Sequence, residues 1–455
     1  PERVVGAWFN GREQKAVLYV RDLLKPGMRL DGPAIIAEEN ATTVVEPGWH
    51  AQLDGAGDLI LSRTVPLRRR VGIGTNIDPV MLEIFNNLFM AIAEQMGVTL
   101  ITIERTFEPP TLARVDAFLR YTNRKPDEVL GVCPPANREA TVWNVAVNGV
   151  MAGCRPEYMP ILIAATEAVL DPVYKVEDAG STPGWETLLI LSGSIARELG
   201  FNDGQGVMRM GRQPNSSVGR FMRLMLRNIG GFHHAPEGAD KGSIGQSFLV
   251  VLAENEDAIA ELGWQPYSVD RGFNAGDNVV TVQSVVAISA PAYSQSERAE
   301  EHAALLADVI GERACGYWTA IGMCYANWHP LIILGPSIAK VFAQEGWSKR
   351  DICQYFYEHV KIKASRAEYY AYSAGLTGFR IANAVKEGLL PKAFHLSDDP
   401  DRLVPVFQRP EWMSIVVAGD AGRNQSRGYV CNHVQGVPTS RKVVLPQNWK
   451  SLLAK

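Results

Sequence analysis

The sequence predicts a mixed α/β fold, in which a small β-rich domain precedes a larger α/β body. Three observations support this. Short β-rich runs alternate with turns at the start of the chain, helical and strand-like runs alternate after residue 108, and one strand–turn–helix segment occurs twice. The chain has 455 residues, enough for about three domains of ~150 residues each. With 46% hydrophobic and 21% charged residues, it has the composition of a globular protein rather than a disordered one.

Residues 1–66 are predicted to form the β-rich domain. Apolar or β-branched runs at 17–20, 34–37, 42–45 and 59–61 are separated by turns rich in Pro, Gly and Asp. This regular spacing indicates a small sandwich or barrel. Residues 67–107 are predicted to be a basic linker followed by a helix. Asp78 is a good N-cap, Pro79 suits the first turn, and the apolar residues then keep helical spacing to about Met96.

The remaining chain is predicted to form two α/β modules, residues 108–260 and 261–455, with a cleft between them. Residues 188–197 (LLILSGSIAR) match residues 331–340 (LIILGPSIAK), each an apolar strand, a small-residue turn and a helix start. In module 1, residues 142–151 and 160–170 are predicted to be helices on either side of a short break.

Charge and cysteine content narrow the classes of partner. Lys and Arg total 45 against 49 Asp and Glu, a net charge of −4, which disfavours nucleic-acid binding. The sequence has no apolar run of the ~20 residues that span a bilayer. Six cysteines are too few for a disulfide scaffold and indicate free thiols in a reducing compartment. We therefore expect a cytoplasmic, oligomeric protein with neither nucleic-acid nor membrane partners.

The two repeated turns are the first candidate binding elements. A strand that enters a Gly/Ser turn and then a helix presents backbone N–H groups and a positive helix end. Ser194 and Ser337 would add hydroxyl donors to a carboxylate or phosphate. The alternative is that each serine merely caps its helix.

A second candidate is the predicted helix that begins near residue 215. Its arginines Arg220, Arg223 and Arg227 share one face, and arginine suits bidentate recognition of a carboxylate or phosphate. Asn215 or Ser216 is expected to cap the helix. The alternative is a solvated basic stripe. The predicted substrate-binding residues here are Asn215, Ser216, Ser217, Arg220 and Arg223.

The break between the two predicted helices supplies a candidate nucleophile. Cys154 precedes Pro156, and a thiol at a helix N-terminus can have a lowered pKa. Arg155 and Glu157 would pair or bind substrate, and Glu157 is a predicted catalytic residue. The alternative is a buried, inert cysteine.

Residues 230–241 form a Gly-rich loop with titratable side chains. His233 and His234 are predicted to transfer protons, and Lys241 is predicted to bind substrate. The alternative is an ordinary surface loop. Adjacent histidines rarely bind one ion, so no metal site is predicted. The sequence has no Cys-x-x-Cys, Walker A, Gly-x-Gly-x-x-Gly or Gly-x-Ser-x-Gly motif, and any cofactor remains unidentified.

Two segments resemble one known family. Residues 32–49 (GPAIIAEENATTVVEPGW) resemble the C-terminal β region of the A-type subunit of the hydantoinase/oxoprolinase/acetone carboxylase family. Residues 78–100 resemble the start of its B-type subunit. The resemblance implies amide or lactam chemistry, and it implies that the nucleotide-binding region lies earlier in the A-type subunit. Residues 101–110 depart from the B-type pattern, so no catalytic residue carries over.

The body of the chain resembles a different group. Residues 145–158 and 346–351 resemble a poorly characterised bacterial family whose members accompany a small cysteine- or selenocysteine-containing redox protein. That resemblance implies a redox partner and draws attention to Cys154, to the segment 216–220 and to the loop 233–241.

These observations lead to one main functional hypothesis and three alternatives. The chain is predicted to be an enzyme, or an enzyme subunit, that acts on a small anionic compound, with amide or lactam C–N hydrolysis in a hydantoinase-like complex as the reaction. The first alternative is a thiol-dependent C–S or redox enzyme that uses Cys154. The second is a non-catalytic scaffold of a hydantoinase-type assembly, and the third is a metal-dependent lyase or hydrolase.

Overall fold

The chain divides into two compact units, Pro1–Pro79 and Val80–Lys455. The computed structural model describes residues 3–9, 12–38, 42–64, 109–180, 184, 186–234, 238–240, 242–243, 247–325, 327–430 and 436–454. The linker and helix predicted for residues 67–107 lie outside these residues. Within the described ranges, no helix is long and apolar enough to cross a membrane. Helices and sheets both occur, which confirms the predicted α/β class.

The N-terminal unit contains two small β-sheets. Its strands are β1 (Arg3–Phe9), β2 (Arg12–Val20), β3 (Arg29–Asp31), β4 (Ala34–Ala37), β5 (Thr42–Val45), β6 (Trp49–Leu53) and β7 (Leu59–Arg63). One sheet has the order β1-β2-β4-β5 and the other the order β3-β6-β7. Ala34 and Ile36 of the first sheet share a core with Leu30 and Ala51 of the second. The sheets therefore pack face to face, as in a sandwich.

The C-terminal unit is organised around two central β-sheets, each with four strands hydrogen-bonded side by side. Its strands are β8 (Val129–Cys133), β9 (Arg138–Thr141), β10 (Glu186–Ser192), β11 (Leu252–Ala253), β12 (Val279–Val285), β13 (Ala287–Ile288), β14 (Ala292–Tyr293), β15 (Leu331–Leu334), β16 (Lys361–Lys363), β17 (Leu403–Pro405), β18 (Ser414–Val417), β19 (Gln425–Val430) and β20 (Thr439–Lys442). The first central sheet has the order β11-β10-β12-β20. The second has the order β13-β19-β15-β18, with β14 also paired to β19.

Helices cover these sheets. They are α1 (Leu112–Leu119), α2 (Val142–Met151), α3 (Met159–Val169), α4 (Ile195–Glu198), α5 (Gln213–Asn228), α6 (Glu256–Leu262), α7 (Tyr267–Asp270), α8 (Ala299–Leu306), α9 (Gly316–Tyr325), α10 (Pro336–Gln344), α11 (Lys349–His359), α12 (Ala364–Ser373), α13 (Ile381–Lys386) and α14 (Trp449–Leu453). A π-helical segment, Ala307–Cys315, joins α8 to α9. The helices predicted at 142–151 and 160–170 correspond to α2 and α3.

Alternate residues of the central strands face different cores, as the two-residue period of a strand requires. In the first central sheet, Leu189 and Leu191 pack with residues of α2, α3 and α5. Leu188 and Ile190 pack instead with Leu331 and Ile333 of the second sheet. The strand β10 is buried along its whole length, which explains why residues 188–191 form a continuous apolar run rather than an alternating one.

The second central sheet repeats this arrangement on its other side. Ile332 and Leu334 of β15 pack with residues of α8, α10 and α11. The described body is therefore four layers deep, with helices on the outside and two sheets sharing an apolar core.

The two repeated segments occupy the same position in their respective sheets. β10 lies between a parallel neighbour, β11, and an antiparallel neighbour, β12. β15 lies between a parallel neighbour, β18, and an antiparallel neighbour, β19. Each segment begins with an inner strand of its sheet and continues through a turn into a helix. The sequence match and the topology therefore agree.

The carboxyl ends of the two parallel pairs meet. Asn255, two residues after β11, donates its backbone N–H to Val417 O at the end of β18, 2.9 Å away. Gly419, just beyond β18, donates to Asp203 O at 2.8 Å. In open α/β sheets this edge is a common location for ligands.

Candidate active site

The helix α5 positions most of the predicted site residues. It begins at Gln213, with Pro214 in its first turn, rather than near residue 215. The expectation that Asn215 or Ser216 caps the helix is therefore wrong, since both lie inside the first turn. The reason is local: proline is preformed for that turn and moves the helix start two residues earlier. Gly219 lets the helix approach the segment 249–250, where a Cβ atom would lie 2.4 Å from backbone atoms.

Asn215 and Ser216 make structural hydrogen bonds. The Asn215 side chain is buried, accepts from Asn202 N at 2.8 Å, and donates to Asn202 O and Val251 O, both at 2.9 Å. Ser216 Oγ accepts from Gly211 N at 3.2 Å. The Asn215 amide is thus fully engaged by backbone groups, and this arrangement does not favour the substrate-binding role predicted for it.

The structure brings Cys154 together with Ser217 and Arg220. Ser217 and the charge of the Arg220 guanidinium both act to lower the pKa of the Cys154 thiol, so both side chains lie close to it. Two residues that the sequence reasoning missed complete the group. Tyr158 Oη donates to Gln213 Oε1 at 2.7 Å, and Gln213 Nε2 donates to Gly153 O at 2.7 Å and to Ser217 Oγ at 3.3 Å. We call Cys154, Tyr158, Gln213, Ser217 and Arg220 the thiol cluster.

Helix periodicity was the signal that would have found one missed member. Gln213, Ser217 and Arg220 are spaced i, i+4 and i+7 on α5 and therefore share one face. Gln213 is exposed, whereas Ser217 and Tyr158 are buried, so the thiol cluster runs from the surface into the core.

The expected lowering of the Cys154 pKa is wrong. Burial raises the pKa of the Cys154 thiol to about 12, although Ser217 and the charge of Arg220 act to lower it. Cys154 follows the C-terminus of α2 and donates its backbone N–H to Gly149 O at 3.0 Å. The negative end of that helix dipole does not favour a thiolate. The side chain is 9% exposed and belongs to the core around α2, α3 and α5.

Arg220 is the member of the thiol cluster best suited to bind an anion. Its Nη1 donates to Ala152 O, the C-cap of α2, at 3.0 Å. Among the residues that the structure describes, no carboxylate lies within salt-bridge distance of its half-buried guanidinium. Burial lowers the pKa of Arg220, which reflects the cost of removing this charge from water without a carboxylate partner.

Arg223 has the opposite environment. Its Nη1 lies 3.1 Å from Glu186 Oε1, and its Nη2 lies 2.8 Å from Asp240 Oδ2. Burial raises the pKa of Glu186, and the Arg223 charge opposes this rise. Because two carboxylates compensate the Arg223 guanidinium within the fold, the geometry does not favour its predicted substrate-binding role.

The predicted proton-transfer residues lie near the C-terminal half of α5. His233 Nδ1 accepts from Arg227 Nε at 3.2 Å, and His234 is 81% exposed, 3.9 Å from Asp240. Arg227 follows Arg220 by seven residues, ~10 Å along the helix axis. His233 thus contacts a different part of α5 from the thiol cluster. Lys241 lies outside the described residues.

Glu157 forms a local ion pair. Its Oε1 lies 2.9 Å from Arg155 Nε, as the sequence suggested, and Arg155 also donates to Leu199 O at 3.2 Å and stacks over the Tyr158 ring. Glu157 is therefore next to the thiol cluster along the chain, but it is engaged by Arg155.

Two backbone N–H groups of the first repeated turn are already bonded within the chain. Gly193 N donates to a carboxylate of the chain itself, Glu256 Oε1, and Ile195 N donates to Asn278 Oδ1 at 2.9 Å. Ser194 is exposed, and Ser337 Oγ donates to Arg423 O at 3.4 Å. The first turn is thus already occupied by Glu256, because tertiary folding brings that carboxylate to the helix start.

A buried carboxylate, Glu254, lies at the carboxyl ends of the strands. Glu254 follows β11, is 1% exposed, and accepts from Ser192 Oγ at 2.9 Å and from Tyr267 N at 2.8 Å. Lys349 Nζ lies 3.8 Å from Glu254 and 2.8 Å from Asp270. Burial raises the pKa of Glu254 to about 7, and Lys349 acts to lower it.

Comparison with known proteins places the N-terminal unit in a family. Residues 4–61 match the hydantoinase/oxoprolinase C-terminal domain. A 5-oxoprolinase of Arabidopsis thaliana is 38% identical over 100 residues, and one of Dictyostelium discoideum is 35% identical over 104 residues; each match covers 22% of this chain and 8% of the relative. The 5-oxoprolinase PfmaA of Pestalotiopsis fici is 34% identical over 95 residues, 20% of this chain and 7% of the relative.

These matches cover a small part of much longer relatives, so they identify a segment rather than an activity. The match to residues 4–61 contains the run 32–49 that carried the first resemblance. The strands β2 to β6, all of β1 except Arg3, and the start of β7 lie within it. The N-terminal β segment of this chain therefore belongs to the hydantoinase/oxoprolinase family.

Proposed function

We propose that the chain is an enzyme or enzyme subunit of hydantoinase/oxoprolinase type, and that the thiol cluster binds the carboxylate of a small lactam or amide. The observation that carries the proposal is the half-buried Arg220 guanidinium, which has no carboxylate partner within the described ranges. A bound carboxylate would supply the missing negative charge in a bidentate arrangement. Gln213 and Ser217 stand on the same helix face and would add hydrogen bonds.

The relatives suggest which small anion to use as a probe. They are named 5-oxoprolinases, and 5-oxoproline is a lactam that carries a carboxylate. In this proposal Arg220 holds the carboxylate, and Gln213, at the exposed end of the thiol cluster, contacts the entering ligand. With its pKa near 12, Cys154 is protonated at neutral pH and acts as a hydrogen-bonding group rather than as a nucleophile.

The experiment is a titration of the full chain with 5-oxoproline by isothermal calorimetry. We expect Arg220→Gln to weaken binding at least about tenfold, because it removes the only cation of the thiol cluster. Arg227→Gln on the same helix is the matched control and should bind as the unmodified chain does. Equal affinity in the Arg220→Gln and Arg227→Gln variants, or no binding to the unmodified chain, would contradict the proposal.

A second candidate is a non-catalytic scaffold that docks hydantoinase-type subunits. It is favoured by the location of the family match, which lies in a separate compact unit rather than around the thiol cluster. Under this proposal lactam hydrolysis requires added subunits, and Arg220→Gln leaves the activity of the assembled complex unchanged. An activity assay of the full chain with and without those subunits separates the two candidates.

The alternative of thiol-dependent C–S or redox chemistry rests on the proximity of Cys154 to Ser217 and Arg220. The pKa near 12 weighs against it. A Cys154→Ala variant that lost all turnover while retaining 5-oxoproline binding would favour it. We further propose a cytoplasmic location, since Cys133, Cys154, Cys324 and Cys353 all carry free thiols.

A further inference from the structure

A cavity of about 260 Å³ lies on the face of α3 that is turned towards the C-terminal segment. Pro160, Ile163, Ala164 and Glu167 line it at i, i+3, i+4 and i+7, so they form one stripe of the helix. The remaining lining residues come from the loop after α1 and from the chain after β20: Thr122, Asn123, Arg124, Lys442, Val444, Leu445 and Pro446. The cavity shares no residue with the thiol cluster.

The floor of this cavity is apolar. Ile163 is 6% exposed and Ala164 is 2% exposed, although both line the cavity, and Pro160 and Pro446 are buried. Leu445 is half-buried beside them. A floor of this kind favours an aliphatic group, because contact with it removes apolar surface from water on both sides.

One wall carries the Glu167 carboxylate, which is only partly engaged by Arg124. Arg124 pairs with Glu167, and its Nη2 also lies 2.8 Å from Glu128 Oε1. Two carboxylates therefore share the Arg124 guanidinium, and Glu167 is the one that lines the cavity. Arg124 bonds Glu167 through Oε1, and Oε2 of Glu167 has no hydrogen-bond partner in the described part of the chain. This wall suits an ammonium group.

The opposite charge is supplied by Lys442, the last residue of β20. Its side chain is 54% exposed and pairs with Asp277 outside the cavity lining. Because the Lys442 end of this ion pair is open to water, the pair contributes little stability, and Lys442 can exchange this partner at low cost. The cavity therefore offers the Glu167 carboxylate to a cationic group and the Lys442 ammonium to an anionic group. An apolar surface lies next to both.

We propose that this cavity binds a small zwitterion with an apolar side chain, the chemistry of a free aliphatic amino acid. Its ammonium group contacts Glu167, its carboxylate contacts Lys442, and its side chain lies on Ile163, Ala164 and Leu445. The volume limits the ligand to a small molecule. This site is independent of the one proposed around Arg220.

The test is calorimetric titration of the full chain with L-leucine and two analogues that each lack one charge. Isoamylamine lacks the carboxylate, and 4-methylpentanoate lacks the ammonium group. We expect L-leucine to bind and each analogue to bind at least about tenfold more weakly. No heat of binding with L-leucine up to about 10 mM, or equal binding of all three compounds, would overturn the proposal.

Two variants assign the charges. Glu167→Gln, which keeps a hydrogen-bond acceptor for Arg124, should weaken L-leucine about tenfold while leaving 4-methylpentanoate unchanged. Lys442→Gln should weaken L-leucine and leave isoamylamine unchanged. Lys450→Gln, an exposed lysine outside the cavity, is the control. Unchanged L-leucine binding in both cavity variants would refute the assignment, and Arg220→Gln must leave L-leucine binding intact.

Discussion

Arg220 and Arg223 lie three residues apart on α5, yet the fold treats their charges differently. Arg223 is held between Glu186 and Asp240, whereas Arg220 donates to the backbone carbonyl of Ala152 and lies near the Cys154 thiol. Both arginines are partly removed from water. A compensated charge stabilises the fold, and an uncompensated one retains the capacity to bind an anion. Surroundings rather than residue type therefore distinguish a structural arginine from a candidate binding residue.

The largest expected effect comes from removing the compensated arginine. Arg223→Gln leaves Glu186, which is 7% exposed, without its cation. Breaking a buried ion pair in this way should lower the free energy of unfolding by roughly 3–5 kcal/mol. Urea denaturation followed by circular dichroism measures the loss. The exposed Arg209→Gln is the control, and a loss below about 1 kcal/mol would show that the Arg223 cluster is not stabilising.

A second prediction concerns a buried carboxylate whose cation is more distant. Lys349 lies 3.8 Å from Glu254, and burial raises the pKa of Glu254 from 4.5 to about 7. Since the folded state then binds the proton more tightly than the unfolded state, Glu254 contributes stability below about pH 4.5. As the pH rises towards 7, about 2–3 kcal/mol of this stability is lost.

Glu254→Gln should remove this dependence of the unfolding free energy on pH. Unfolding free energies of the variant and of the unmodified chain, measured between pH 5 and 8, give a difference that isolates Glu254 from other titrating groups. The exposed Glu198→Gln is the control. Parallel pH profiles for Glu254→Gln and the unmodified chain would show that Glu254 titrates in its ordinary range.

Arg220→Gln should cost less stability than Arg223→Gln. The variant removes a hydrogen bond from a charged group to Ala152 O but leaves no carboxylate unpaired among the described residues, so we expect a loss of about 1–2 kcal/mol. The same urea denaturation experiment compares the two variants directly. A loss as large as that of Arg223→Gln would indicate that Arg220 has a structural partner and would weaken its role in anion binding.

The smallest effect concerns the Cys154 thiol. Because burial raises its pKa to about 12, iodoacetamide at pH 8 should alkylate Cys154 at least about tenfold more slowly in the folded chain than in urea. Mass spectrometry of the peptide that contains Cys154 measures both rates. Equally fast labelling in the two states would restore the reactive thiolate expected from the sequence.

Local features of the fold were predictable because neighbouring residues determine them. The helices α2 and α3 and the strands β10 and β15 correspond to predicted runs. Their apolar patterns repeat within a few residues, and turn residues mark their ends. The start of α5 was misplaced because Pro214 in its first turn outweighed the capping preference of Asn215 and Ser216.

The candidate site was only partly predictable. Cys154, Ser217 and Arg220 were each singled out, and the structure brings them together. The compensation of Arg223 was not foreseen, because Glu186 and Asp240 lie far from it in sequence and reach it only through the folding of β10 and the loop after α5.

The sequence by itself determined the α/β class, the two related strand–turn–helix segments and the family of the N-terminal β segment, since these depend on short-range patterns and on a contiguous match. The tertiary structure decided which charges are compensated and which thiol is buried. It also placed Glu256 at the first repeated turn and closed the cavity between α3 and the C-terminal segment. Burial and pairing arise between residues distant in the chain, and therefore no local pattern encodes them.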